Sequence, residues 1–197
     1  MRLRALLCSS FVSAALTVAA APAPVQAGHA CALGTPSAAS YTWNFKGEAN
    51  SIFDQIRFDT TKTLNDADRL RSLEVDPEVS RETHAAILDD MRDKINDMGA
   101  KVCRLEAIRR VLSPWQQHVV DKVAATTQLM VDNMEDAIAI CNNNPNEINF
   151  PAYALYTRNL YNESQSLTRS VDEAVQYAGV SKEYRNLRSE LGARRSS

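Results

Sequence analysis

Residues 113–141 read SPWQQHVVDKVAATTQLMVDNMEDAIAIC, and this stretch decides the fold. Val120, Val123, Thr127, Met130, Met134, Ala137 and Cys141 step by 3, 4, 3, 4, 3 and 4, the spacing that lines one face of an α-helix. Ser113 stands where a cap is needed. Pro114 follows at the first helical position, where its missing N–H costs nothing, and Gln116 closes a capping box. The pattern predicts a helix over 114–142.

Working outward, residues 78–112 repeat the pattern. Leu88, Met91, Ile95, Met98, Val102, Leu105 and Leu112 share one seam, with Arg109 as its single polar member. Asp76-Pro77 supplies a cap and a first-turn proline, and Gly99 in the helix interior costs about 1 kcal/mol relative to Ala. A thinner stripe, Phe53, Ile56, Thr63, Ala67 and Leu70, predicts a helix over 46–74. Tyr153, Tyr156, Leu160, Leu167, Val171, Ala174 and Ala178 predict another over 151–178, after a loop at Asn142-Asn143-Asn144-Pro145. Gly179 is expected to end or kink that helix, and Lys182 to Leu191 to form a shorter one. No strand-like alternation competes. The expected fold is all-α: an elongated antiparallel up-down-up-down four-helix bundle of the coiled-coil type with a short extra C-terminal helix.

The N-terminus predicts the compartment. Arg2 and Arg4 precede a charge-free apolar run from Ala5 to Ala21, and Val25-Gln26-Ala27 places small residues where a signal peptidase reads. Cleavage is placed after Ala27, because a cut after Ala21 would set Pro22 beside the scissile bond. A run of about 17 apolar residues sits at the short limit for a membrane anchor. The chain therefore divides into a signal peptide (1–27), a small, polar leader (28–45), a helical domain (46–192) and a disordered tail (193–197). Export to the periplasm or medium is expected, with no membrane insertion after cleavage. The alternative is lipid anchoring at Cys31, although Gly28-His29-Ala30-Cys31 lacks the Leu expected three positions earlier.

The 197-residue chain carries 22 Lys and Arg against 24 Asp and Glu. Losing Arg2 and Arg4 leaves 20 against 24, or −4, which argues against a nucleic-acid binder needing a basic face. Cys8 leaves with the signal peptide, so Cys31, Cys103 and Cys141 remain. Cys103 lies 10 residues before the turn near residue 113 and Cys141 lies 28 after it. The offset is roughly 27 Å along the axis, far beyond the roughly 7 Å Cα separation a disulfide tolerates. Cys103 should lie level with the start of the first helix, where the leader enters. The expected disulfide is Cys31–Cys103, with Cys141 a buried free thiol.

Patterns that carry chemistry are missing. The histidines His29, His84 and His118 have no Glu three residues before them, so no Glu-x-x-His metal pair arises. His118 with Asp121 reads as an exposed polar pair. Met91, Met98, Met130 and Met134 read as core filler rather than haem ligands. There is no nucleophile elbow, Cys-His arrangement or phosphate loop. Asp89-Asp90 and Glu135-Asp136 diverge on polar faces. The aromatic residues Phe150, Tyr153, Tyr156 and Tyr161, and Trp43 with Trp115 near the opposite end, read as packing caps. Arg185, Arg188, Arg194 and Arg195 read as a solvated tail. No catalytic, cofactor-binding or metal-binding residue is expected.

At Asn96-Asp97-Met98-Gly99, Cys103-Arg104-Leu105 and Ser113-Pro114-Trp115-Gln116-Gln117 the chain is similar to uncharacterised exported helical proteins of bacteria. That resemblance implies export and helicity, and no activity or site residue. The expected function is a non-enzymatic bundle acting through protein contacts, structurally or as a stress-type binder, with homo-oligomerisation possible. The alternative is a carrier holding a small ligand or cofactor in the bundle interior.

Overall fold

The computed structural model describes residues 44–74, 79–143 and 151–195, the last three of these by backbone alone. Among them the chain is helical, with α1 (Phe45–Leu73), α2 (Arg81–Ile108), α3 (Pro114–Asn143) and α4 (Pro151–Arg195), and a short 3-10 segment at Arg109–Val111. The expected signal peptide and leader with Cys31, together with Trp43, Asp76-Pro77, Asn144-Pro145 and Phe150, lie outside the described residues. No described helix is long and apolar enough to cross a membrane.

The four helices pack side by side around one core, α1 against α2 and α4, and α3 against α2 and α4. Every residue of the seam on which the fold was read, from Val120 to Cys141, is buried in α3. Met91, Met98, Met130 and Met134 are fully buried among leucines, isoleucines and valines, as core filler should be. The α1 seam is thicker than its sequence suggested, because Ala49, Ile52 and Thr60 join Phe53, Ile56, Thr63, Ala67 and Leu70.

Polar ties cross between the helices. Lys94 reaches Asp66 at 2.8 Å, Lys101 reaches Asp59 at 2.6 Å and Arg104 reaches Glu48 at 2.6 Å, so α2 numbers rise as α1 numbers fall. Arg81 donates to the Asn142 carbonyl, and Arg109 grips Asp121 through two 2.6 Å hydrogen bonds. The Arg71 guanidinium lies over the Tyr161 ring at 4.3 Å. On α3, Asn133 donates to Glu163 at 2.8 Å and accepts from Asn159 at 2.9 Å.

Several expectations are corrected. α2 begins at Arg81 rather than 78, and its cap is Ser80, whose hydroxyl accepts from the Thr83 amide. Arg109 is not on the seam: the buried series runs Leu105, Ile108, Leu112, and Arg109 turns outward to Asp121. α2 gives way there to the 3-10 turn, and by Leu112 the backbone is extended, ahead of Pro114. Gly179 does not end the last helix. α4 continues unbroken to Arg195, so the separate short C-terminal helix is absent and helix extends past the expected boundary at 192. A lone glycine removes only about 1 kcal/mol of helix propensity, and no proline follows it. Finally, Tyr156 is only partly buried, and Thr157 takes the seam position beside it.

Candidate functional site

α4 is 45 residues long against 30 in α3, an excess of 15 residues or about 22 Å. Trp115, the second residue of α3, packs edge-on against Tyr177 with ring centroids 4.9 Å apart. From Val180 onward α4 therefore stands beyond the start of α3. The overhang is not uniformly polar. Tyr177, Val180, Tyr184, Leu187 and Leu191, spaced 3, 4, 3 and 4 apart, are 52–67% exposed. Five large apolar side chains in one helical stripe are unlike the single exposed hydrophobic residues that any surface carries. The stripe runs down into a groove of about 280 Å³ lined by Trp115, His118, Val119, Lys122 and Tyr177. A second groove, about 630 Å³, separates the start of α1 from Ala178, Lys182 and Arg185 of α4.

The opposite end of the bundle gathers buried titratable groups. His84 Nδ1 and Tyr153 Oη share a 3.0 Å hydrogen bond, both residues being almost wholly buried. Burial holds the imidazole below its usual pKa and the phenol well above its own, so the pair is neutral. Glu74 accepts from the Thr157 hydroxyl, and burial raises its pKa to about 7 against the opposing pull of Arg71 and Arg158. Cys141 lies near Arg81, and burial pushes its thiol upward. A raised thiol pKa makes a poor nucleophile. This end is built as a satisfied polar plug.

In the first third of α4, burial likewise lifts Glu163 to about 7 although Asn133 hydrogen-bonds it. Its Oε2, Thr127 Oγ1 and Ser164 Oγ are buried without hydrogen-bond partners. By contrast, the seam hydroxyl of Thr63 closes on its own helix, donating to the Asp59 carbonyl.

Of the residues singled out from sequence, Cys141 is a buried free thiol. Cys103 is half-buried and is not free, while Cys31 lies outside the described residues. Arg81 hydrogen-bonds Asn142, which places Cys141 near the start of α2, 22 residues or about 33 Å from Cys103 along that helix. His118 is exposed, and its neighbour Asp121 is held by Arg109, whose hydrogen bonds lower the carboxyl pKa. Arg185 and Arg188 are exposed on the overhang. Among the described residues no group of three or more His, Cys, Asp or Glu is placed to hold a metal ion. The stripe was missed because Tyr184, Leu187 and Leu191 were assigned to a separate short helix. Carrying the 3-4 count past Gly179 would have found it.

No family model, curated protein or solved structure matches the chain.

Proposed function

We propose that this protein is an exported, non-enzymatic helical bundle that works through protein contacts made by the apolar stripe of the α4 overhang. The observation that carries this reading is the run from Tyr177 to Leu191, half or more exposed at every step. A finer architecture belongs with it, an antiparallel up-down-up-down bundle. It is supported by cross-helix pairs whose numbers run in opposite senses, such as Lys94–Asp66 with Lys101–Asp59, and Asn133–Glu163 with Trp115–Tyr177. The interior seams are filled by side chains of near-zero exposure, which supports contact at the surface over a carrier role. Export rests on the N-terminal pattern and on Cys103, whose proposed disulfide partner is Cys31.

The test is chemical cross-linking in intact producing cells, comparing the natural chain with Tyr184→Glu and Leu187→Glu. The stripe reading requires adducts that both substitutions abolish while the helix content of the purified proteins is unchanged. Adducts retained at full yield would place the contact elsewhere. A coloured or metal-containing native preparation would favour the carrier role instead.

A further inference from the structure

The stripe also says what shape must cover it. The α4 residues that meet α3, namely Asn159, Glu163, Ser170, Glu173 and Tyr177, recur at helical spacing. The stripe continues that series as Val180, Tyr184, Leu187 and Leu191. The core-facing series does not stay apolar: past Ala174 and Ala178 it becomes Ser181, Arg185 and Arg188. The overhang is thus the α3-facing seam prolonged beyond the point where α3 stops. Whatever covers it is a helix lying in line with α3.

We infer that the occupant is the same overhang of a second copy of this chain, the two α4 helices crossing tip to base in opposite directions. The inference rests on the docking reading above. The stripe from Val180 to Leu191 spans 12 residues or about 18 Å, and the same stretch of a second copy laid in the opposite direction covers it end to end. A two-fold axis near Tyr184 and Leu187 stacks Tyr184 on Leu187 of the second copy, and Val180 on its Leu191. A single patch then serves both chains, as closed dimers require. The opposite-direction pairing puts the two bundles at opposite ends. A same-direction pairing would crowd both bundles at one end, each α3 competing for the space beside the other's α4.

The area sets the strength. Two tyrosines and three aliphatic side chains, half or more exposed, offer roughly 500 Å² of apolar surface per copy. A standard stable interface buries about 800 Å² a side, so the pair is reversible and forms in the micromolar range. Charge tunes it, because Glu183 and Glu190 flank the stripe on one side. In the opposite-direction pairing Glu183 faces Glu190 of the second copy, twice. Glu190→Lys converts both repulsions into attractions and should tighten the dimer about ten-fold.

The experiment is sedimentation equilibrium of the mature chain from low to high micromolar concentration, with Leu187→Glu and Glu190→Lys beside it and a photo-reactive residue in place of Tyr184. The expected result is a mass that doubles with concentration in the natural chain. Leu187→Glu should stay monomeric at unchanged helix content, Glu190→Lys should associate more tightly, and the photo-reactive chain should cross-link to itself. A natural chain that stays monomeric overturns the inference, as does a dimer indifferent to Leu187→Glu. A dimer weakened by Glu190→Lys overturns it too, by pointing to same-direction pairing. Photo-adducts with a different protein alone would overturn the second copy and leave the docking reading standing. Photo-adducts with nothing would remove both.

Discussion

Gln116 gives the most direct access to how the bundle ends are held. Its side chain is 1% exposed and makes four hydrogen bonds. It accepts from the Ser113 amide at 3.1 Å and the Ser113 hydroxyl at 2.7 Å, and it donates to the Lys46 carbonyl at 3.0 Å and Asn50 Oδ1 at 2.8 Å. One amide group thus closes the cap of α3 and ties it to the first turns of α1. Gln116→Met keeps the length and fills the volume while removing all four bonds. Each neutral hydrogen bond is worth about 0.5–1.5 kcal/mol net, and the partners are only part-buried, so water re-solvates some of them. A loss of about 2–3 kcal/mol is expected, or about 5–10 °C in melting temperature for a domain of this size. Urea denaturation followed by circular dichroism measures it, and Asn50→Ala combined with Gln116→Met should cost less than the sum of the single changes. A loss under about 0.5 kcal/mol, or strict additivity with Asn50→Ala, would refute the reasoning.

Glu163 titrates near 7 when folded against 4.5 in the reference state, so between those values the native state holds a proton that the unfolded chain releases. Stability therefore falls as pH rises through that window, and Glu163→Gln should flatten the fall and stabilise at mildly alkaline pH by about 1 kcal/mol after solvent screening. His84, held low by burial, acts in the opposite sense and withdraws stability as pH drops below 6.5. Gly179→Ala meets open space and helical backbone, so a gain of about 0.5–1 kcal/mol in helix stability is expected, read as increased overhang protection in hydrogen exchange. Non-reduced peptide mapping should show Cys31 joined to Cys103 and one thiol, Cys141, that alkylates only after denaturation; a Cys103–Cys141 peptide would contradict the described ends of α2. Lys101→Met strands Asp59, whose side chain is 13% exposed, at a cost of about 2 kcal/mol that Asp59→Leu in the same chain should largely restore.

Helix identity was legible wherever apolar residues repeat without interruption. Val120 to Cys141 could be read directly, because period 3.5 with a capped start has one structural meaning. Thr157 and Ser164 were invisible on α4 because a hydroxyl looks like a surface residue, and Thr157 becomes acceptable inside once it donates to Glu74. Arg109 was misplaced because the seam steps by three from Leu105 to Ile108, the last residue of α2, before the 3-10 turn carries the chain on to Leu112. The Gln116 cap was readable from Ser113 three residues before it. Its reach to Lys46, 70 residues away, was not, because only the packed bundle brings those ends together.

A helix that leaves its bundle has to hold itself up. Within the body, α4 is braced by α1 and α3, but past Val180 its backbone hydrogen bonds depend on intrinsic propensity alone, with Gly192 adding a weak link. Isolated helices of about 15 residues are marginal in water. The overhang should therefore open far more often than the body and be the first place a protease cuts. Such a nick would shorten the chain without unfolding what remains. Clipping would remove the exposed stripe irreversibly, and anything that covers the overhang would shield it from that cut.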